Sequence, residues 1–315
     1  MTTGNGTSPA RSVRPAGRGR STLSSAACSV LLAAGLVSLD AGPATAATPG
    51  LRGDFNGDGY GDVVAASDGG AGRLTVLHGA AGGLGSQRAV LDQESPGVPG
   101  HNEDGDGFGR ALAAADLDGD GRAELAVAGR GEGGGGIGGR VTVVYGAAGG
   151  PGTGRPTLFV DQDTEGVPGT SEPEDTFGGA LAIGDVDGDH VGDLVVGAPG
   201  ETLGSGTAAV KSAGAVTVLR GSPGGLTTAG AQMYTQDSPG VPGAAEPGDR
   251  FGAALLLTDT DHDSRADLAV TADGENGTGM VWRLPGSPAG PTGTGSAYYG
   301  APAAPAVRFG VPLEG

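Results

Sequence analysis

Four short acidic loops contain the residues best suited to chemistry in this chain. In the third loop, carboxylates occupy positions 1, 3, 5 and 9, at Asp185, Asp187, Asp189 and Asp193. The apolar, partly β-branched segments on both sides of the loop are typical of buried strands. Four carboxylates between two such strands would repel one another without a cation among them. Because Ca²⁺ prefers oxygen ligands in a flexible geometry, the pattern predicts a strand–calcium loop–strand unit.

The same loop occurs four times along the chain. The other copies begin at Asp54, Asp116 and Asp259, and a Phe-Gly pair precedes each of the last three loops by the same interval. Regular spacing of this kind indicates repeats that bury one face against their neighbours. An EF-hand interpretation fails, because position 12 is apolar where an EF-hand needs glutamate, and strands replace the flanking helices.

These residues resemble the FG-GAP repeats of the integrin α-subunit β-propeller and of secreted bacterial integrin-like proteins. Phe177-Gly178 with Gly197-Ala198-Pro199 is the full signature. The resemblance implies metal ligation by side chains at positions 1, 3, 5 and 9 and by the backbone carbonyl at position 7. The implied ligand residues are Asp54, Asn56, Asp58, Tyr60 and Asp62; Asp116, Asp118, Asp120, Arg122 and Glu124; Asp185, Asp187, Asp189, Val191 and Asp193; and Asp259, Asp261, Asp263, Arg265 and Asp267.

We expect up to four Ca²⁺ sites of unequal strength and a structural role for the metal. Position 6 is Gly59 or Gly121 in the first two loops, which suits a sharp turn at positive φ. The same position is His190 in the third loop and Ser264 in the fourth. Because a side chain makes this backbone conformation costly, the fourth site, and with the same defect the third, is expected to bind more weakly.

The remainder of the chain predicts an all-β fold, and the resemblance implies a β-propeller of FG-GAP repeats. The first repeat lacks a Phe-Gly strand, and the orphan Phe309-Gly310 supplies one. We therefore expect four blades closed into a ring by the C-terminal strand. The alternative is an incomplete arc of a seven-bladed propeller. Between repeats, a Gly-Val-Pro-Gly stretch leads to acidic patches at 103–106, 172–175 and 246–249.

Residues 1–46 have the features of a secretory signal peptide, and residues 47–315 would form the propeller domain. A basic segment without acids precedes an apolar segment at 23–39 and the small-residue cleavage site Ala44-Thr45-Ala46. The apolar segment is short for a membrane span. We expect export by the general secretory route, an extracellular location, and no stable membrane insertion after cleavage.

Composition and missing motifs narrow the function. A net charge of −18 argues against nucleic acid, which binds basic surfaces. The sequence contains no nucleophile elbow, zinc-binding His pair or phosphate-binding loop. His78 ends a predicted strand and is interpreted as a surface residue, and Trp282 as a core residue. The chain is thus not expected to be an enzyme.

The expected function is a non-catalytic binding or adhesion module, with an extracellular protein or a cell-surface glycan as its partner. Tyr298-Tyr299 are among the few aromatic residues that could stack on a sugar. The alternative is a polysaccharide hydrolase or lyase on the same scaffold, in which the acidic patches supply paired carboxylates.

Overall fold

The computed structural model describes Met1 and residues 53–67, 70–130 and 138–300. The predictions about residues 2–46 and about Phe309-Gly310 concern residues outside this part of the chain. The described residues form β-strands and two single-turn 3-10 helices, with no α-helix among them and no helix long and apolar enough to span a membrane. The strands are β1 (Val63–Ser67), β2 (Arg73–Ala80), β3 (Gly83–Leu91), β4 (Ala111–Ala115), β5 (Glu124–Gly129), β6 (Arg140–Val144), β7 (Leu158–Val160), β8 (Ala180–Gly184), β9 (Asp193–Ala198), β10 (Ala215–Arg220), β11 (Thr227–Tyr234), β12 (Phe251–Thr258), β13 (Asp267–Ala272), β14 (Met280–Leu284) and β15 (Ala297–Gly300).

The strands form four antiparallel sheets, which are the blades of a four-bladed β-propeller. Blade one contains β1 to β3, blade two β4 to β7, blade three β8 to β11, and blade four β12 to β15. The prediction of an all-β propeller is therefore confirmed. Strand β8 contacts both β4 and β12, so the first strands of successive blades face one another. Blade one has three described strands, which correspond to the second, third and fourth strands of the other blades.

Apolar side chains from adjacent blades form a shared core at each junction. Val216 and Val218 of β10, the third strand of blade three, lie on one face of that strand and are no more than 1% exposed. These two side chains belong to a cluster with Leu268 and Trp282 of blade four. Corresponding clusters join blade one to blade two and blade two to blade three. A single blade cannot bury this face alone, so the junctions hold the fold together.

The Phe-Gly pairs fasten each blade to the blade before it. Phe177 is fully buried, and its N–H donates to the carbonyl of Gly138 in blade two at 2.6 Å. Phe251 makes the equivalent bond to Ala213 of blade three at 2.9 Å. The glycine that follows each phenylalanine has a positive φ, which glycine adopts without a steric penalty.

A second set of glycines makes this contact possible and was not identified from the sequence. Gly72, Gly139 and Gly214 have φ values of +89°, +118° and +84°. A Cβ atom at these positions would lie 2.1, 2.2 and 2.2 Å from the carbonyl oxygens of Phe108, Phe177 and Phe251, respectively. No side chain fits in that space without moving the backbone, so the junction requires glycine there.

Candidate metal centres

The acidic loops lie at equivalent places in the four blades. The second, third and fourth loops connect the first strand of a blade to its second strand, and the first loop leads into β1. The residue at position 9 begins the following strand in three blades, as Asp193 begins β9. This placement holds the last carboxylate against the blade while the preceding residues turn through solvent.

The first carboxylate of each loop organises the loop backbone. In the third loop, Asp185 accepts hydrogen bonds from the N–H of Gly188 at 2.6 Å and of His190 at 2.8 Å. Asp54 and Asp116 accept the same pair of bonds in their loops. In the fourth loop, Asp259 accepts from Ser264 at 3.1 Å. The turn is therefore built from side-chain oxygens that collect backbone donors, as in an Asx turn.

The last carboxylate of each loop is the most buried. Asp193 is 1% exposed and accepts N–H groups from Val186 and Gly221 at 3.1 and 3.0 Å. The same two bonds recur at Asp62, Glu124 and Asp267. Burial raises the pKa of Asp193 to about 7 and that of Glu124 to about 8, although the backbone N–H groups partly oppose it. A cation at these carboxylates would relieve the cost of burying their charge.

Three loops bring carboxylate oxygens within 4.8 Å of one another, close enough to share one ion. These groups are Asp116, Asp118 and Glu124; Asp185, Asp187 and Asp193; and Asp259, Asp261 and Asp263. All the donors are hard oxygens, which fits Ca²⁺.

The other predicted ligands lie nearby without joining these clusters. Asp120 and Asp189 at position 5, and Asp267 in the fourth loop, are outside them. The first loop has an amide, Asn56, in place of one carboxylate and keeps the same hydrogen bonds. The residues at position 7 each donate an N–H to the carboxylate at position 5, at distances from 2.8 to 2.9 Å, and ligation by their carbonyls stays a prediction; they are Tyr60, Arg122, Val191 and Arg265.

Each loop also has a basic side chain beside its carboxylates, which sequence reasoning missed. The interpretation of His78 as a surface residue is wrong: it is 9% exposed, and its Nδ1 lies 3.2 Å from Asp62 Oδ2. His78 on β2 and Arg220 on β10 each stand directly before a glycine at equivalent places in blades one and three, so alignment of the repeats could have found both. The ion pairs of the other loops are Arg155 with Asp118, Arg220 with Asp187, and Arg283 with Asp261 and Asp267.

The fourth loop differs most from the others. Arg283 lies 2.5 Å from Asp261 and 2.8 Å from Asp267. Burial raises the pKa of Asp267, but hydrogen bonds from Thr260, Arg283 and the backbone outweigh burial and lower it. The fourth loop is thus already partly neutralised by a guanidinium.

The expected backbone defect at position 6 is present. His190 and Ser264 both have a φ of +71°. In the fourth loop a second non-glycine residue, His262, also has a positive φ, of +63°. Each such residue carries a steric penalty that glycine avoids.

Comparison with known proteins identifies the repeats. A family model described as the FG-GAP-like repeat matches residues 54–127, and one described as the FG-GAP repeat matches residues 177–219 and 251–282. The chain contains FG-GAP repeats. The matched segments contain all four acidic loops and parts of all four blades.

Two curated relatives are similar in sequence to part of this chain. Phosphatidylinositol-glycan-specific phospholipase D of Mus musculus is 34% identical over 135 residues, which is 42% of this chain and 14% of the relative. Integrin alpha-PS2 of Drosophila melanogaster is 37% identical over 118 residues, which is 36% of this chain and 8% of the relative. The similarity thus covers a small part of either relative.

Proposed function

We propose that this protein is an exported, calcium-stabilised β-propeller that acts as a non-catalytic binding module for an extracellular protein or a cell-surface glycan. The observation that carries the proposal is the repeated acidic loop: in three of the four loops, three carboxylates have oxygen atoms within 4.8 Å of one another. The repeats are typical of integrin-like modules, and one relative is an integrin α-subunit. The periodic placement of the acids favours a scaffold over a catalytic centre, which needs one unique constellation.

Calcium would bind the four loops with different strengths. Glu124 and Asp193 have a raised pKa, although the Arg220 guanidinium lies 3.8 Å from Asp193 and opposes the rise there, so the second and third loops gain most from a cation. The fourth loop combines two strained residues with the Arg283 ion pairs. We therefore expect the fourth site to be the weakest, and the third to be weakened by His190.

Replacing Arg283 would distinguish the contribution of its guanidinium to stability from the contribution of the metal. In Arg283→Gln, Asp261 and Asp267 lose their counter-ion, and we expect the melting temperature in chelator to fall by several degrees, since breaking a partly buried ion pair leaves uncompensated charge. Calcium should restore more of the loss than it adds to the wild type. Differential scanning calorimetry with and without calcium measures both changes. Arg88→Gln, at an exposed arginine on β3, is the matched control; equal effects in the two variants would contradict the interpretation.

An exposed aromatic pair is the best-supported contact surface. Tyr298 and Tyr299 on β15 are 48% and 57% exposed, and Tyr298 packs on the buried Trp282 ring at 5.8 Å between centroids. The Trp282 core prediction is confirmed, because that side chain is 1% exposed. A supported, exposed tyrosine ring is a rigid platform for the apolar face of a sugar or for a protein side chain.

The function is tested by measuring binding and turnover together. The secreted protein is incubated with immobilised glycans and extracellular proteins in calcium and in chelator, and soluble products are analysed by mass spectrometry. We expect calcium-dependent retention on a ligand without product, and at least tenfold weaker retention for Tyr298→Ala with Tyr299→Ala. Leu84→Ala with Val90→Ala, at exposed residues of β3, should bind normally. Product that disappears on substitution of one non-repeated acid would favour the hydrolase or lyase.

Export is tested on the same sample. Mass spectrometry of the protein recovered from the culture medium should give an N-terminus at Ala47, because cleavage is expected after Ala46. Retention of the whole protein in the cell would contradict export.

A further inference from the structure

A second repeated acidic cluster lies at the opposite end of the blades from the calcium loops. In blade three, Asp175 precedes β8 and Glu201 follows β9, whereas the calcium loop joins the other ends of these two strands. Gln162 follows β7 and reaches the cluster from blade two. The cluster therefore spans the junction between blades two and three. We call it the first junction cluster.

The first junction cluster is buried, two of its members are hydrogen-bonded, and the charge of the third, Asp175, acts on Glu201. Gln162 Nε2 donates to Glu201 Oε2 at 2.5 Å, and the two residues are 2% and 6% exposed. Asp175 is 1% exposed and accepts the N–H of Glu172 at 2.6 Å. Gly200 brings the Glu201 segment against the acidic turn, since a Cβ at Gly200 would lie 1.7 Å from the carbonyl oxygen of Glu174.

The second junction cluster repeats this arrangement between blades three and four. Gln236 Nε2 donates to Glu275 Oε2 at 2.6 Å, and Asp249 accepts the N–H of Glu246 at 2.7 Å. Gln236 is 1% and Asp249 3% exposed. Gly274 takes the place of Gly200, with a Cβ position 2.0 Å from the carbonyl oxygen of Gly248. The repetition means that the cluster belongs to the repeat and not to one irregular turn.

Each cluster contains a buried oxygen that has no partner. Within the described part of the chain, Gln162 Oε1 and Gln236 Oε1 make no hydrogen bond, although both residues are at least 98% buried. In both glutamines this oxygen belongs to the same amide group that contacts the glutamate, so it lies at the edge of the cluster. Leaving a buried amide oxygen unpaired costs stability, because the oxygen loses its hydrogen bonds to water and gains none in the protein. An arrangement that occurs twice at this cost indicates a missing partner.

The charges around the clusters favour a bound cation. Burial, and then the nearby charges of Asp175 and Glu172, raise the pKa of Glu201 to about 7, against an opposing hydrogen bond from Gln162. Burial likewise raises the pKa of Asp175 to about 6. Every charged group that acts on Glu201 is thus another acid. At Glu275, burial, the charge of Asp249 and a hydrogen bond with the Asp249 carboxyl raise the pKa in the same way.

We propose that each junction cluster binds a hard divalent cation such as Ca²⁺, held by the glutamine amide oxygen and the two carboxylates of Gln162, Asp175 and Glu201, and of Gln236, Asp249 and Glu275. Amide and carboxylate oxygens are the donor types that Ca²⁺ takes. One ion would neutralise the two carboxylates of a cluster, of which Glu275 is half-buried and the other three are buried, and would give the amide oxygen its partner. Because the ligands come from two blades, the ion would fasten neighbouring blades together at the end remote from the calcium loops.

The number of bound ions tests the proposal. Equilibrium dialysis of the full chain against saturating calcium, with the metal measured by atomic emission, gives the ions per chain. The variant Glu201→Gln with Glu275→Gln keeps the side-chain shape and removes one charge from each cluster. We expect it to bind two fewer Ca²⁺ ions than the wild type, however many of the acidic loops are filled. The matched control, Glu94→Gln with Glu165→Gln, changes two exposed glutamates in the equivalent turns and should bind the wild-type number.

A competing explanation is that protons neutralise the clusters. In that case the variant would bind as many ions as the wild type, and this result overturns the proposal. The melting temperature in chelator separates metal loss from misfolding: neutral amides replace desolvated carboxylates, so the variant should unfold no lower than the wild type. A second pair, Asp175→Asn with Asp249→Asn, addresses the same clusters. If both double variants bind as many Ca²⁺ ions as the wild type, no cation binds at the junction clusters.

Discussion

Removing calcium at pH 8 is expected to lower the melting temperature of this protein by about 10 °C or more. With about 1 mM calcium and a dissociation constant near 0.1 mM, each loop adds about 1.4 kcal/mol by mass action. Three or four loops then add about 4–6 kcal/mol, and one kcal/mol shifts the melting temperature of a domain of this size by about 2–4 °C. Calorimetry in calcium and in excess chelator measures the shift.

The pH dependence of the calcium-free protein gives an independent check. The folded pKa of Glu124, about 8, and of Asp193, about 7, lie above the ordinary values of 4.5 and 3.8. Between these values the folded state holds more protons than the unfolded state, so stability should fall as pH rises from about 5 to 8. In calcium the carboxylates are ionised by the metal, and the slope should flatten.

Glu124→Gln supplies the control for this behaviour, because it removes the group with the most raised pKa while keeping the side-chain size, although its amide oxygen can accept only one of the two backbone N–H groups that the carboxylate accepts. Its melting temperature in chelator should depend less on pH than that of the wild type, and it should bind calcium less well. A melting temperature that changes with neither calcium nor pH would mean that the acidic loops are only turns.

Periodic features could be predicted from the sequence because each recurs in every repeat. The loops fall between two strands in blades two to four, as Asp185 to Asp193 falls between β8 and β9. The apolar segment after the third loop is a buried strand, as predicted, and its Leu194 and Val196 are fully buried. Both signals are local: a few neighbouring residues decide a turn or the side of a strand. Ring closure by Phe309-Gly310 stays a prediction.

Contacts between distant residues could not be predicted in this way. Nothing local to His78 indicates that it faces Asp62, and Arg283 meets Asp261 only because β13 and β14 pair. The junction clusters combine Gln162 of one blade with Glu201 of the next. Such groups depend on how the blades pack, and the sequence alone indicated only that the acidic patches recur with the repeat and could supply paired carboxylates.

The same packing makes one glycine a sharp test of the blade junction. Gly214 precedes β10, has a φ of +84°, and its Cβ position lies 2.2 Å from Phe251 O and 2.3 Å from Phe251 N. In Gly214→Ala the methyl group must push the Phe-Gly segment of blade four away from blade three. We expect a loss of about 3 kcal/mol or more, since strain adds to the disturbance of a buried contact.

Gly230→Ala separates the cost of backbone strain from the cost of disturbing the contact between the blades. Gly230 has nearly the same φ, +78°, but no atom lies within 4 Å of its Cβ position, so this variant carries the backbone penalty alone. We expect about 1 kcal/mol for it, and urea unfolding of both variants in saturating calcium measures the difference. Gly72→Ala and Gly139→Ala repeat the test at the other two junctions. Equal losses of unfolding free energy at Gly214 and Gly230 would mean that the blades tolerate separation. A much larger loss at Gly214, Gly72 and Gly139 would mean that close packing of each Phe-Gly pair against the preceding blade makes the propeller unfold cooperatively.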